Sequence, residues 1–538
     1  MKRNGVPAIF DKLIPYVLLP AVIGVFTGVL IFIFKVSSGY VMDLSARIYS
    51  FVREEPRYIP LLILGVAAVG LFSALILRLA KECRGGGIPT AIASIRGLIP
   101  IKWVQGIFAL FFTAQLTYLA GVPLGNEGPS VQMGTALGKG ASEVLGKKKR
   151  AWERFIMTGG GSSGFAIATG APMSGIVFAL EEAHRRFSPA IISVVSVSVI
   201  SGIITQEILS FLFGVDTTFF NLTIDDVLPF EFLWVAVLVG ILCGISSIFF
   251  ALIYRDARRL ERGVLSELPF SVKIVGIFVI SGILGVICED FIGSGHGLIE
   301  KILHRESLWY VLIISFVIRA ALMIFASNQG VSGGLFVPTL AFGAIISALV
   351  AEGFISIGLL GEEYFSIIVV VGMASSFSAF SRTPITALTF AAEALCVANN
   401  ILPAAVGVTF AYLVVELFEK ESFTDEVIES KIEKAHRGKQ SVVVDKHMSV
   451  GAGSVAEGKN HRNILWPPTC VVLSIVKKSP HTAHDNEILA AGDVLHLHYR
   501  TYDPEDTEEI LTHILGTQPE DSGVRITCVD EDHVTPLE

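Results

Sequence analysis

Long runs of apolar residues constrain the fold of this chain more than any other feature of its sequence. Three of them cover 61–77, 192–204 and 232–253. Several runs are long enough to cross ~30 Å of hydrocarbon as helices at ~1.5 Å per residue. Only 17% of the 538 residues are charged, against about a quarter in soluble proteins. The sequence therefore predicts an all-α membrane protein that crosses the bilayer many times.

The apolar character ends at about Phe418, and a different kind of sequence follows. A charged, helical stretch continues to Lys439, after which short β-like runs precede one helix-like run at 508–515. This pattern predicts a small soluble α/β or α+β module. The expected domains are a membrane domain at 1–424, a helical linker at 425–439, the soluble module at 440–517 and an acidic, disordered tail at 518–538.

Charges in the loops predict the orientation in the membrane. Basic residues gather in three loops, whereas residues 215–231 contain four acids and no Lys or Arg. The positive-inside rule places the basic loops, the N-terminus and the soluble module in the cytosol, and the acidic loop on the opposite side of the membrane. The expected location is the inner or plasma membrane of the cell. The basic clusters are Lys147, Lys148, Lys149, Arg150 and Arg154; His184, Arg185 and Arg186; and Arg255, Arg258, Arg259 and Arg262.

The segment 152–185 leaves the cytosol and returns to it within about thirty residues. It turns at Gly170-Ala171-Pro172, and its length predicts two half-crossing helices that meet inside the membrane. Broken helices at membrane depth are tolerated only where they line a cavity or pack inside protein. Such helices indicate a transporter binding site.

Three motifs interrupt the apolar part with glycine and proline, and each opens a helix. Glycine lets a ligand approach the backbone, and proline is tolerated in the first helical turn. Helix N-termini carry unpaired N–H groups and partial positive charge, so three converging ends would favour an anion. A single such motif could be a packing kink. The motifs are Gly-Gly-Gly-Ile-Pro at 85–89, Gly-Asn-Glu-Gly-Pro at 125–129 and Ser-Gly-Gly-Leu-Phe-Val-Pro at 332–338.

Glu127 is an acid inside an apolar stretch. Such a residue costs ~2.5–3.5 kcal/mol to insert at the centre of a membrane helix, and it indicates function. At a helix N-terminus its carboxylate would occupy an anion site, and protonation would release that site. Glu127 could therefore be both gate and proton carrier; the alternative is a carboxylate that merely caps its helix.

These three motifs resemble the signature motifs of the CLC family of chloride channels and chloride/proton exchangers, and family positions match from about Leu13 to about Thr424. The resemblance implies a homodimer in lipid, with one pore per subunit built from two inverted-topology halves. It implies that Glu127 is the external gate and that Glu182 is the internal proton acceptor. It also implies an anion site formed by Gly86, Gly87, Ile88, Leu335, Phe336 and Thr424.

The implied function is antiport of chloride and protons, with chloride as substrate and no cofactor. Glu182 favours exchange because family channels generally lack this acid, although it could instead pair with a nearby arginine. Gly86 replaces the family's usual serine, and Thr424 stands where the family has a tyrosine. A passive channel, or an exchanger that prefers nitrate or fluoride, therefore remains an alternative. Pro129 keeps the ordinary form of its motif, which argues against the fluoride branch.

The soluble module resembles the TrkA-C (RCK-C) domain found on transport regulators. The similar patterns are Trp-Pro-Pro-Thr-Cys-Val-Val at 466–472, Asn-Glu-Ile-Leu at 486–489 and Gly-Asp-Val-Leu at 492–495. The resemblance implies dimerisation and a possible small ligand; the alternative is an appendage that only stabilises a dimer.

Other functional classes find little support. Gly-Gly-Gly-Ser-Ser-Gly at 159–164 fits a dinucleotide pattern, but it lies in an apolar helix with no preceding strand. Its serines have no plausible His or Asp partner, so a membrane hydrolase is not expected. The six cysteines are scattered, and the histidines His481, His484, His496 and His498 lack ligands at metal spacing. We therefore expect a protein that is not an enzyme, has no metal and binds no nucleic acid.

Overall fold

The computed structural model describes the chain except for residues 1–12, 86, 145–151, 221, 223, 225, 264–265, 419–422, 437–438, 479–486, 517–524 and 529–538. Within the described part, nine helices are long and apolar enough to cross a membrane. The protein is thus a multi-pass integral membrane protein with a small sheet-containing domain at its C-terminal end, as the sequence predicts.

The helices of the membrane part vary widely in length, and several are too short to cross a bilayer. They are α1 (Leu19–Glu54), α2 (Ile59–Leu79), α3 (Ile88–Ile95), α4 (Trp103–Leu119), α5 (Glu127–Val144), α6 (Glu153–Thr169), α7 (Pro172–Phe178), α8 (Pro189–Phe213), α9 (Leu233–Arg262), α10 (Phe270–Ile287), α11 (His296–Leu303), α12 (Trp309–Gln329), α13 (Phe336–Ser356), α14 (Phe365–Ser381), α15 (Pro384–Ala394), α16 (Ile401–Phe418) and α17 (Phe423–Ala435).

The two halves of the membrane domain repeat the same packing. In the first half α5 lies against α6, and a Cβ added to Gly134 would be 2.2 Å from the Gly160 carbonyl oxygen. In the second half α13 lies against α14, and a Cβ added to Gly343 would be 2.2 Å from the Gly372 carbonyl oxygen. Small residues therefore bring both helix pairs to backbone contact, as is usual inside membranes.

The segment 152–185 turns where the sequence predicts. Gly170 ends α6 in the left-handed conformation with φ of 67°, and Pro172 lies in the first turn of α7. A five-residue π-helical turn, Ala179–Ala183, extends α7 toward the basic loop. α6 has 17 residues, which rise about 26 Å, and α7 has seven. Neither helix therefore reaches the ~30 Å of a full membrane span, in agreement with the expectation that this segment does not form two full spans.

The soluble domain is a four-stranded antiparallel sheet covered by one helix. Its order is β2-β3-β1-β4, with β1 (Val442–Ser449), β2 (Val471–Val476), β3 (Val494–Thr501), β4 (Arg525–Cys528) and α18 (Pro504–Leu515). Alternating residues of β1 and β3 face the helix, since Leu495, Leu497 and Tyr499 are buried with Leu511. The tail from 518 was expected to lack structure, but 525–528 pair with β1.

The linker predicted at 425–439 is mostly α17, and this helix packs on the membrane domain instead of projecting into solvent. Phe423 and Val427 are buried among apolar residues of the membrane part. Arg258, near the C-terminal end of α9, also pairs with Glu433 at 2.9 Å. α17 is therefore structurally part of the membrane domain, and the first independent element of the soluble domain is β1.

Candidate anion site and proton-carrying carboxylates

The three Gly/Pro motifs meet at one place in the structure. Gly125 and Gly334 exchange backbone hydrogen bonds of 2.8 and 2.7 Å, which join the loops before α5 and α13. A Cβ added to Gly128 would lie 2.7 Å from Cα of Gly334 and 2.8 Å from Cα of Gly87, the residue before α3. Glycine is required at Gly128 because no side chain fits where the three helix starts converge.

The first motif contributes the start of α3 to this meeting point. Gly87 has φ of 148°, a conformation that favours glycine. Its N–H donates to the Gln132 side chain at 2.8 Å, so this amide already has a protein acceptor. Ile88 begins α3 and is 8% exposed, whereas Gly86 lies outside the described residues.

The third motif contributes the start of α13. Leu335 precedes the helix and Phe336 is its first residue, where backbone N–H groups have no acceptor within the helix. The buried ring of Phe336 packs edge-on against Phe377 and Phe390, at centroid distances of 4.7 and 5.0 Å. These rings exclude water from the side of the site next to α13.

Glu127 is the first residue of α5 and is fully buried. Among the residues that the structure describes, no other residue donates a hydrogen bond to either carboxylate oxygen. A buried carboxylate without partners is costly as an ion, so this position favours either a proton on the acid or a compensating change in its surroundings. The capping alternative is not supported by a bond to another residue's backbone among the described contacts.

A cavity of about 300 Å³ opens beside the residue that precedes this acid. Asn126 lines it, together with Lys35 of α1 and residues of the acidic loop such as Asp216 and Thr217. The Lys35 ammonium donates to the carbonyls of Thr217 at 2.7 Å and Ile167 at 3.2 Å. A fixed cation thus lies at the end of the cavity next to Glu127.

Two adjacent acids follow α7, and they have different surroundings. The Glu181 carboxylate accepts hydrogen bonds from N–H of Ile385 at 3.0 Å and of Thr386 at 2.7 Å, so it caps α15. Glu182 is 4% exposed, and neither of its carboxylate oxygens has a hydrogen-bond partner within the described part of the chain. Its proposed pairing with an arginine is not seen, because Arg96 donates to the Glu182 backbone carbonyl instead, at 2.8 Å.

Thr424 lies near the inner end of the site but is turned away from it. Its hydroxyl donates to the Phe380 carbonyl at 3.3 Å. One turn later Val427 faces a cavity of about 10 Å³, which is also lined by Gly85, Gly87 and Leu335. α17 therefore presents an apolar side chain to the inner end of the motifs. Of the candidate anion ligands, the structure brings the Gly87 and Leu335 backbones together here and leaves Thr424 aside.

Sequence reasoning did not single out three cations near the site, of which one is fully buried and two are half-buried. Besides Lys35, Lys431 of α17 donates to the carbonyls of Arg84, at 3.0 Å, and Gly85. Arg319 of α12 is fully buried and holds the turn before α11 by donating to the carbonyls of Ile292 and Gly293. For Lys35 and Arg319 a signal existed, since a charged residue within an apolar run indicates a functional or structural site.

The candidate site depends on backbone and carboxyl groups. Within the described residues, no group of three or more His, Cys, Asp and Glu side chains is placed to hold a metal ion. The expectation about His481 and His484 falls outside the described residues. An anion at this site would thus be held by helix N-termini, and protons by Glu127 and Glu182.

Comparison with known proteins gives consistent results. The family described as voltage gated chloride channel matches residues 68–416. The H(+)/Cl(-) exchange transporter ClcA of Salmonella paratyphi B is 27% identical over 413 residues, 75% of this chain and 84% of the relative. ClcA of Yersinia pseudotuberculosis is 25% identical over 437 residues, 80% and 90% of the two chains.

Solved structures show the same fold. A slow cyanobacterial Cl-/H+ antiporter matches with a TM-score of 0.71 and 23% identity, over 79% of this chain and 99% of that one. A CLC-type fluoride/proton antiporter matches with a TM-score of 0.63 and 19% identity, over 78% of this chain and 98% of that one. The helical architecture is therefore shared even where few residues are identical.

Proposed function

Because the chain belongs to the voltage gated chloride channel (CLC) family of anion-transport proteins, we propose that it is an antiporter that exchanges chloride for protons. It is not an enzyme, since the family moves ions and makes no covalent change. Glu127 is the external gate and proton carrier, and Glu182 is the internal proton acceptor.

The observation that carries this proposal is the pair of buried carboxylates without partners. A channel needs no second proton carrier, whereas an exchanger needs protonatable groups toward both ends of the site. Both Glu127 and Glu182 are almost completely buried, and their four carboxylate oxygens accept no hydrogen bond from any other residue that the structure describes. Because burial without a partner disfavours the charged form of a carboxylate, such a group readily takes up a proton, as a proton carrier must.

The proposed anion site is the place where α3, α5 and α13 begin. The backbone amides of Leu335 and Phe336, with the turn at Gly86, Gly87 and Ile88, hold the anion there. The Gly87 amide acts through its bond to Gln132, which fixes the shape of the turn. Thr424 contributes through the Phe380 carbonyl, by fixing the start of α17 at the inner mouth.

The same proposal includes orientation and assembly. Arg185, Arg186 and the soluble domain lie in the cytosol, and the acidic loop with Asp216 lies outside. The protein is a homodimer in lipid, with one pore in each subunit. The soluble domain regulates transport and dimerises, with or without a small ligand.

The decisive experiment uses purified protein in liposomes with a weakly buffered exterior. A chloride gradient should drive protons against their own gradient once valinomycin clamps the membrane potential. Chloride movement without uphill proton movement would identify the second candidate, a passive anion channel. Replacing chloride by nitrate or fluoride tests the remaining alternative, which is favoured by the absence of a hydroxyl at Gly86.

A further inference from the structure

A short piece of the soluble domain is bound to the cytosolic loops of the membrane domain. We call residues 462–466 the docking segment. Arg186, in the basic loop after α7, donates to the carbonyls of Arg462 at 3.2 Å and Ile464 at 3.3 Å. Arg154, at the start of α6, donates to the carbonyl of Trp466. Two arginines of the membrane domain thus donate hydrogen bonds to every second backbone carbonyl of the docking segment.

The docking segment also contributes an apolar anchor. Leu465 is 7% exposed, and it is buried in a cluster with Leu180, Phe155 and Ile191. Leu180 belongs to the π-helical turn that carries Glu182. An apolar side chain of the soluble domain is therefore part of the same buried cluster as a residue of the turn that holds the inner carboxylate.

Hydrogen bonds within the soluble domain fix the shape of the docking segment. The Trp466 indole N–H donates to the His461 carbonyl at 3.0 Å, which closes the segment on itself. The Asn460 side chain accepts from the Arg462 N–H at 2.9 Å and begins a short 3₁₀ turn. A segment shaped in this way loses little entropy when it binds.

Two arginines extend this contact to the functional site through α3. Arg154 donates from Nε to the Ile95 carbonyl, the last residue of α3, at 2.8 Å. Arg96, directly after α3, donates to the carbonyls of Glu182 at 2.8 Å and Ala183 at 2.9 Å. One end of this eight-residue helix faces Gly87 at the anion site. The other end is tied to the docking segment and to the Glu182 turn.

A second contact also places the soluble domain next to the loop that follows α3. His436, just after α17, donates from Nε2 to the Leu98 carbonyl at 2.7 Å. Its ring stacks on Tyr502 of the soluble domain at a centroid distance of 4.1 Å. The loop after α3 is therefore held by both the soluble domain and the end of the linker.

We propose that the docking segment, through Arg154 and Leu465, positions the Glu182 turn and so sets the number of protons moved per anion. The inference rests on the proposed role of Glu182 as internal proton acceptor. Arg154 and Leu465 are positioning residues, since they contact the turn and α3 and not the anion or the proton. The soluble domain thus completes the internal proton site of its own chain.

The physical reason is that proton transfer is more sensitive to geometry than anion passage is. Proton transfer needs donor and acceptor within hydrogen-bond reach, directly or through one water. The Glu182 turn is a π-helical end, and its carboxylate has no hydrogen-bond partner among the described residues. Removal of the docking segment frees this turn, whereas the Gly125–Gly334 hydrogen bonds continue to hold the anion site.

The test is Leu465→Asp in the full-length protein, measured by simultaneous chloride and proton flux in liposomes. We expect the proton-to-chloride ratio to fall at least threefold, with chloride flux within twofold of wild type, and the internal-pH profile of exchange to change. Arg154→Gln removes hydrogen bonds without adding charge to the apolar cluster. It should lower the same ratio even if Leu465→Asp does not purify as a folded protein.

Two matched variants control for general effects. Leu473→Asp puts the same charge on an exposed residue of β2, and Arg259→Gln removes an exposed cytosolic arginine; both should keep the wild-type ratio. The inference is overturned if Leu465→Asp and Arg154→Gln keep the wild-type ratio and pH profile, or if chloride and proton flux fall in parallel. A wild-type protein that moves chloride without protons would instead refute the proposed exchange itself.

Discussion

The Glu181 carboxylate caps α15 by accepting from the Thr386 N–H at 2.7 Å and from its hydroxyl at 2.6 Å. The reverse contact also exists, because Glu393 of α15 accepts from the N–H groups of Met173 and Ser174 in α7. Each helix of this pair is thus capped by an acid of the other, as expected for elements related by an inverted repeat. Glu182, next in sequence to Glu181, is left without such a partner.

This difference predicts opposite results for two adjacent substitutions. Glu182→Gln should abolish chloride-driven proton movement while chloride flux persists, because the amide cannot carry a proton. Glu181→Gln should keep coupling and lower thermal stability by about 1 kcal/mol, the usual value of a helix cap. Proton flux and thermal unfolding of the purified variants distinguish the two roles, and coupled transport by Glu182→Gln would contradict the assignment.

Glu127→Gln and Glu127→Ala should both abolish proton movement and leave anion flux. Neither side chain carries a proton, and alanine also vacates the space of the carboxylate at the start of α5. We therefore expect chloride flux that no longer depends on external pH, measured as chloride efflux over a range of pH values. Uphill proton uptake by Glu127→Ala would refute the central claim.

Gly128→Ala should remove transport by forcing the three helix starts apart. Its Cβ would lie within 2.8 Å of two backbone Cα atoms, and such overpacking costs ~1–3 kcal/mol. Gly276→Ala in α10 is the matched control, since no atom lies within 4 Å of its added Cβ. Thermal unfolding and chloride flux should both be impaired in Gly128→Ala only; equal behaviour of the two variants would mean that this close approach is unimportant.

Gly86→Ser should raise the preference for chloride over nitrate. The serine hydroxyl would donate to the anion, and a hydrogen bond to a charged group is worth ~1.5–3 kcal/mol. The measurement is the ratio of chloride to nitrate flux in liposomes, with Gly65→Ser in α2, where an added Cβ meets no atom within 4 Å, as control. An unchanged ratio would show that a side chain at position 86 does not determine selectivity.

Asp493→Asn should destabilise the soluble domain at neutral pH. Burial alone would raise the pKa of Asp493, but hydrogen bonds from the Ala490 N–H and from Lys477 and Lys478 hold the pKa below its usual value. The Lys477 ammonium lies 2.9 Å away, and both side chains are largely buried. Breaking such a pair costs ~3–5 kcal/mol.

The lowered pKa of Asp493 also predicts how the stability of the soluble domain depends on pH. Because the folded pKa is below the unfolded one, the stabilisation is complete above about pH 4, the ordinary aspartate pKa, and is lost as the pH falls through the folded value. In the wild-type protein, hydrogen exchange of peptides from β1 and β3 should become faster as the pH falls and this stabilisation is lost. In Asp493→Asn the exchange should show no such acceleration. Glu505→Gln, on the exposed first turn of α18, is the control and should behave like wild type.

Much of this protein was predictable because its signals are local. A run of apolar residues must form a helix in lipid whatever surrounds it, since unpaired backbone groups are too costly there. Glycine and proline mark helix starts by their own backbone preferences, so the turn at 170–172 and the starts of α3, α5 and α13 follow from the sequence. The change in pattern near Phe418 likewise indicated a separate sheet domain, although α17, which follows Phe418, packs on the membrane part.

The tertiary structure decided which groups are paired and which are not. Glu181 and Glu182 are chemically identical in the sequence, and only the position of α15, about 200 residues away in the chain, gives one of them a partner. Packing between distant elements also decides that the Thr424 hydroxyl bonds to the Phe380 carbonyl. It likewise decides that Leu465 is buried in the same cluster as Leu180. Apolar packing is non-directional, so the residues alone establish that these surfaces become buried, whereas the three-dimensional fit determines against which partner.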